Sequence, residues 1–338
     1  MELSPEILSY EVHYGIVSRR PNILLIGMGI PYPAFTIFAD GSFSVEVLCG
    51  IAGPGGHLLI SPWWNLIETP SWQRQLARIA ETARALPQTR ITFLCNAPQE
   101  VPTVQAHGLD AVFINQNAFV QENLFNIAPE PKIYRAIYNA QLLRLKRHEL
   151  AAKVAGLALI YSPWNTETYA TLRSQLSEAA FLNGEPESDQ YRLFDGKTVA
   201  RYLNSSRVGL CLSAEEGAMF ASMEYLLCGL PVVSTPSRGG RDVFFDAEYS
   251  AIVPPDPDAV AEAVTALIAR SVDPAIVRAR TLTKVAEHRK RFVELVDRLQ
   301  LSAGQEPTGR AELDRLLTSP WQWFNYGSIA DIMRDMAG

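Results

Sequence analysis

Short apolar runs and amphipathic stretches alternate along the chain. In its first part, residues 22–27 (NILLIG), 57–62 (HLLISP), 90–96 (RITFLCN) and 111–115 (AVFIN) read as strands. Residues 72–86 (WQRQLARIAETARAL) space their apolar positions along one helical face. Strands alternating with helices predict a mostly parallel sheet. Residues 122–132, with Pro129 and Pro131, read as a linker. A second alternation follows. It runs strand 133–139, helix 142–154, strand 157–161, helix 166–180, helix 197–203 and strand 208–213. Then come a helix ending at Gly229, strands at 231–235 and 249–253, and a helix at 259–270. A charged helical stretch reaches about residue 301. A loop with Gly304 and Pro307 and an aromatic tail (Trp321, Trp323, Phe324, Tyr326) close the chain.

Length agrees with this doubled pattern, since 338 residues exceed one typical core and two domains are expected. A hydrophobic content of 48% against 20% charged residues is that of a soluble globular protein. A net charge of -6 gives no bulk attraction to nucleic acid. No apolar run is long enough to span a bilayer, and the first residues lack the basic and apolar blocks of a secretory signal. Cys49, Cys95, Cys211 and Cys228 are widely spaced and follow no metal pattern; they read as buried thiols in a reducing cytoplasm.

The chemistry concentrates in residues 215–240, EEGAMFASMEYLLCGLPVVSTPSRGG. The run 208–213 has the composition of a central parallel strand, which puts Ser213–Gly217 in the loop at its carboxyl end. Ligands bind at that end of open α/β sheets. The helix that follows offers backbone N–H groups near Gly217, Ala218, Met219 and Phe220, a seat for phosphate. Glu224 stands inside this otherwise apolar helix, where a carboxylate is costly without a partner. A ligand's vicinal hydroxyls would satisfy it, as would exposure to solvent or pairing with an arginine.

Glu216-x7-Glu224, followed by Cys228-Gly229-Leu230-Pro231-Val232-Val233 and Gly239-Gly240, resembles the E-x7-E signature of retaining GT-B glycosyltransferases, the group that includes sucrose synthase and bacterial mannosyltransferases. The likeness covers about residues 201–270 and is weak over the first domain. It implies a GT-B fold: two Rossmann-like domains facing across a cleft, with C-terminal helices crossing back. Residues 1–130 would bind acceptor, 131–302 the nucleotide sugar, and 303–338 would pack back on the first domain. The implied activity is retaining, metal-independent transfer of a sugar from a nucleotide-sugar donor to a hydroxyl acceptor, in glycan, polysaccharide or glycoconjugate biosynthesis. No cofactor is implied.

The same resemblance assigns roles. Glu216 would face the donor sugar, Glu224 the ribose hydroxyls, and the amides of Ala218–Phe220 the sugar or phosphate. The group carries Arg and Lys five positions apart after the first strand of the second domain. Here Lys146 holds the lysine position, but Gln141 stands where the arginine belongs, leaving Arg144 or Arg147 to supply that charge. Ser213 completes the donor-side set. The rival readings are a sugar-nucleotide epimerase or phosphorylase, and a non-catalytic sugar- or partner-binding protein on the same scaffold.

Other features rank lower. Asp256-Pro257-Asp258 is a D-x-D that helix capping explains. Gly27-Met28-Gly29 lacks the third glycine of a dinucleotide site, and Pro31 and Pro33 interrupt the helix that should follow. Asn96, Asn115 and Asn117, at the ends of predicted strands, are acceptor-side candidates together with His57. Trp63 and Trp64 would stack on a sugar or simply pack. The basic helix 277–292 would face solvent or anionic lipid. A cytoplasmic location is expected, with contact at the inner membrane face as the secondary expectation.

Overall fold

The computed structural model describes residues 3–28, 36–66, 70–162, 166–318 and 324–337. Gly29, Pro31, Pro33, Trp321 and Trp323 lie outside them. Among the described residues the strands, in chain order, are β1 (Glu11–Arg19), β2 (Asn22–Met28), β3 (His57–Pro62), β4 (Arg90–Cys95), β5 (Asp110–Phe113), β6 (Ala136–Asn139), β7 (Leu157–Ile160), β8 (Ala180–Phe181), β9 (Gly209–Cys211), β10 (Val232–Ser234), β11 (Ser250–Ile252) and β12 (Asn325–Ser328). They form two six-stranded sheets, ordered β12-β1-β2-β3-β4-β5 and β11-β10-β9-β6-β7-β8. The chain divides into two compact units, Met1–Val120 with Ala286–Gly338, and Gln121–Val285.

In the first unit β2 to β5 are parallel, and β1 joins β2 antiparallel. Apolar residues on both faces explain the central strands: Ile23, Leu24, Leu25 and Ile26 are all fully buried. The core packs Leu24, Ile26, Leu58, Ile60 and Phe93 against Val45, Leu48, Leu76 and Ile79 of the covering helices. Gly27 serves packing, since a Cβ there would stand 2.9 Å from the Trp63 indole nitrogen. Residues beyond 302 belong to this unit. β12 pairs antiparallel with β1, Tyr14 donates to Asp335 at 2.6 Å, and Arg315 donates to the carbonyls of Ile16 and Val17.

The second unit's sheet is wholly parallel. Its core joins Tyr138, Leu157, Leu159, Leu210 and Val233 to Val264 and Leu267 of the helix Pro257–Arg270. From β6 the chain steps to β7 and β8 on one side; from β9 it steps to β10 and β11 on the other. The order therefore reverses between β6 and β9.

Three expectations change. The helix expected over 142–154 is two short 3-10 turns, Arg144–Lys146 and His148–Ala151, because Arg147 sits in the left-handed region (φ 51) between them. The expected linker is bound to the second unit: Asn204 accepts from the Ala128 amide, and Lys132 donates to the carbonyls of Asn204 and Ser206. Arg278 also donates to the carbonyls of Glu122 and Phe125. That unit accordingly starts at Gln121, and the chain returns to the first unit inside the helix Pro274–Ser302. The basic residues of that helix are largely spent on the protein. Arg280 pairs with Asp246 and Glu248, Lys284 donates to the Phe245 carbonyl, and Arg289 donates to that of Ala118. No described helix is long and apolar enough to cross a membrane.

Gly209 in β9 lies under the Tyr225 ring, 2.4 Å from where a Cβ would sit. Gly209→Ala would displace Tyr225 and the helix Phe220–Leu227 that bears it, at a cost of about 1–3 kcal/mol. A melting temperature lowered by several degrees is expected; an unchanged melt would contradict this packing.

Candidate active site

The reversal between β6 and β9 opens the crevice in which α/β sheets take ligands, outside the strands' carboxyl ends. Two loops meet there. Lys146 comes from the turn after β6, Glu216 from the loop after β9, and their Nζ and Oε1 stand 2.5 Å apart. Both side chains are largely buried. Ser213 donates to the same Glu216 oxygen at 2.6 Å. The Tyr138 hydroxyl, from β6, donates to the Lys146 carbonyl at 2.6 Å and lies 3.4 Å from the Ser213 hydroxyl.

The backbone around Glu216 is clamped from the loop after β10. The Glu216 amide donates to the Arg238 carbonyl at 3.0 Å, and the Gly240 amide donates to that of Gly217 at 2.7 Å. Gly239 makes this approach possible: its φ is +104, and a Cβ would fall 1.8 Å from the Glu216 oxygen. Met219, at φ 57, turns the chain into the helix Phe220–Leu227. That helix's first amides therefore lie at the loop containing Gly217 and the buried Ala218.

Glu224 lies on this helix, partly buried. The Asn139 side-chain Nδ2, at the end of β6, donates to its Oε2 at 3.1 Å, and the Tyr225 hydroxyl accepts from the Asn139 backbone N–H at 2.6 Å. No arginine or lysine pairs with Glu224 among the described residues. Burial pushes its carboxyl up to about 7, against the pull of Asn139. Glu216, Lys146 and Glu224 are thus gathered at the carboxyl ends of β6 and β9.

The remaining donor-side candidates divide. Arg147 donates to the Leu212 carbonyl and to the Thr235 hydroxyl, both at 2.7 Å, so its guanidinium braces strand ends. Gln141 and Arg144 are exposed. Arg144 lines a cavity of about 350 Å³ with Leu143, His148, Thr168 and Leu172. Sequence reading missed Tyr138, Asn139 and Arg241. A strand-end asparagine is a weak signal, and nothing in GGRD marks its arginine as buried.

The acceptor-side asparagines stand just past the ends of β4 and β5. Asn96, Asn115 and Asn117 are buried in the first unit. The Asn96 side chain donates to the Pro62 carbonyl and accepts from the Gln116 amide. That of Asn115 donates to the Asn96 carbonyl and accepts from the Asn117 amide. The side chains of Asn96 and Asn115 tie strand-end loops together, which explains asparagine at those two positions without a ligand. His57 opens β3, at the end away from the carboxyl edge, and is buried, which lowers its pKa. Trp63 packs on His13 and Phe324, with ring centroids 4.4 and 5.9 Å apart. Asp256 caps the helix Pro257–Arg270 by accepting from the Ala259 amide at 2.9 Å, as capping required of the D-x-D. Among the described residues no three His, Cys, Asp or Glu side chains gather as a metal site.

Known proteins resemble the chain over part of its sequence and in fold. Residues 173–270 match the family model of glycosyl transferases group 1, a stretch that contains both glutamates of the E-x7-E motif. No curated protein matches the chain. Among solved structures, Anabaena Alr3699/HepE in complex with UDP-glucose is similar with a TM-score of 0.51 at 14% identity, over 77% of this chain and 74% of that one. AviGT4, a glycosyltransferase involved in avilamycin A biosynthesis, aligns with a TM-score of 0.50 at 17% identity, over 81% and 82%. The pneumococcal O-GlcNAc transferase GtfA in complex with UDP and GlcNAc gives 0.50 at 12% identity, over 83% and 53%. The fold is GT-B.

The environment of Glu224 has a consequence for stability. Its carboxyl rises from an ordinary 4.5 to about 7, so the folded chain holds this proton more tightly than the unfolded one. The stability it contributes is complete below about pH 4.5 and is lost as pH rises through 7. Glu224→Gln removes that loss. The variant should melt above the parent at pH 8, by about 2 °C or more, and the gap should shrink as pH falls toward 4.5. A gap independent of pH would show that the carboxyl is not desolvated.

Proposed function

We propose that the protein is a retaining, metal-independent glycosyltransferase that moves a sugar from a nucleotide-sugar donor to a hydroxyl acceptor in the building of a glycan, polysaccharide or glycoconjugate. The observation that carries this reading is the Lys146–Glu216 contact across the strand reversal, with Glu224 on the helix just beyond it. Solved proteins alike in fold hold UDP-glucose, or UDP and GlcNAc.

The roles follow from chemistry. An ammonium has three donors, so Lys146 can keep Glu216 and still reach a diphosphate oxygen. The first turn of the helix Phe220–Leu227 adds backbone N–H groups and the positive end of its dipole. Glu224, ionised, accepts from both ribose hydroxyls, and Asn139 holds it in place. Glu216 stands beside the sugar, where positive charge develops at the anomeric carbon. The bond from that carbon to the leaving phosphate breaks while the bond to the acceptor oxygen forms on the same face. The acceptor's proton passes to the departing phosphate. The protein's contribution is electrostatic, through charge and dipoles fixed in advance around the leaving group.

A calorimetric screen against UDP, GDP, ADP and dTDP should find one tight binder; none would reject the donor reading. Glu224→Gln should weaken that diphosphate and raise the donor KM together, because ribose is present in every bound state. Glu216→Gln should lower kcat and leave diphosphate affinity nearly unchanged, because the bare nucleotide lacks the sugar. The opposite pattern would exchange their roles.

Lys146→Ala should lower turnover on the order of 10²-fold or more. Near-normal turnover in that variant would remove Lys146 from the leaving-group site. Activity should also survive EDTA. Loss on chelation, restored by magnesium or manganese, would overturn metal independence.

A further inference from the structure

Arg241 lies fully inside the second unit, 1% exposed. One guanidinium nitrogen donates to the Ser213 carbonyl at 2.8 Å. The other donates to the Ser234 hydroxyl at 2.9 Å and to the Thr235 carbonyl. Its Nε has no partner, and no carboxylate pairs with it among the described residues. A buried guanidinium held only by neutral groups is costly to the fold.

Arg147 stands beside it. The two share Thr235, Arg147 on its hydroxyl and Arg241 on its carbonyl. Burial first, and Arg241 next, draw the Arg147 guanidinium below its ordinary value; the pull of the exposed Glu149 is smaller. Lys146 and Glu216 neutralise one another, while no carboxylate is hydrogen-bonded to either arginine among the described residues, so two guanidinium charges stand behind the Ser213–Gly217 loop. Both cap strand-end carbonyls, those of Leu212, Ser213 and Thr235, whose negative ends would otherwise repel an anion at this edge. Meanwhile position 141, where a direct cation was expected, holds an exposed glutamine.

We propose that the half-buried Arg147 and the buried Arg241 form a cationic floor under the donor site, which favours a diphosphate-bearing ligand and replaces the cation absent at Gln141. The proposal rests on the donor reading given above. The arginines touch the protein, not the ligand. They act through the field they set up and through the Ser213 and Thr235 carbonyls they hold, so they are positioning residues.

The test is calorimetry of UDP, GDP and their monophosphates on the full chain, comparing the parent with Arg241→Met and Arg241→Lys. In Arg241→Met the preference for diphosphate over monophosphate should fall about tenfold or more, and Arg241→Lys should recover part of it. A merely structural arginine would weaken both nucleotides equally and leave their ratio unchanged, which would overturn the proposal. If Arg241→Met does not fold, Arg147→Met carries the same comparison, with the same two outcomes. If the parent binds no nucleotide, the donor reading fails on its own, and inorganic pyrophosphate then tests the floor by thermal shift. Stabilisation of the parent that Arg241→Met or Arg147→Met abolishes would support the floor; no stabilisation of the parent would overturn it.

Discussion

The contact between Lys146 and Glu216 is the constraint around which the second unit is arranged. It joins two loops that leave neighbouring strands and diverge in chain order. Holding opposite charges 2.5 Å apart in a largely buried place gains little for the fold, because desolvation offsets most of the attraction. The surrounding structure therefore supports the pair. Ser213 braces it from the loop after β9 and Tyr138 from β6, and the Gly239 backbone presses against Glu216. Arg241 fixes the Ser213 carbonyl from behind. Ser213, Tyr138 and Arg241 each have another partner besides the pair, so the geometry is over-determined.

The first unit shows the same logic with a different end. Glu100 is wholly buried there and accepts from three backbone amides, those of Leu66, Asn96 and Ala97. Burial raises its carboxyl while those three donors pull it back. Together with Asn96 and Asn115 it stitches the loops after β3, β4 and β5 into one network. Polar residues at the carboxyl edge of a parallel sheet thus fix that edge in the first unit, while in the second they gather as the Lys146–Glu216 pair and its supports.

What was legible in the sequence follows this division. Strands β2, β3, β4 and β7 are continuous apolar runs, and such runs announce themselves. The glutamates at 216 and 224 were visible because a carboxylate in an apolar stretch demands an explanation. β1 was not legible, since His13, Gly15 and Ser18 break its pattern. β12 was not, since NYGS carries no apolar alternation and owes its extension to pairing with β1. The turns at 144–151 show the same limit. Leu142, Leu150 and Val154 are buried as a helical reading requires, but Arg147 takes a left-handed conformation that only its bonds to Leu212 and Thr235 explain. The asparagines were located correctly at strand ends, but the internal bonds of Asn96 and Asn115 were not legible, because a ligand and a neighbouring loop ask the same thing of an amide.

The division of the chain into units also sets an order of assembly. The second unit is one continuous segment, Gln121–Val285, while the first needs residues from both sides of it. During synthesis from the amino end, the second unit has all its strands before the first has its edge. Until residues 325–328 emerge, β1 waits as an uncovered edge strand. Such an edge is a template for pairing with other chains. The nascent protein thus carries an open edge along β1 until pairing with β12 removes it.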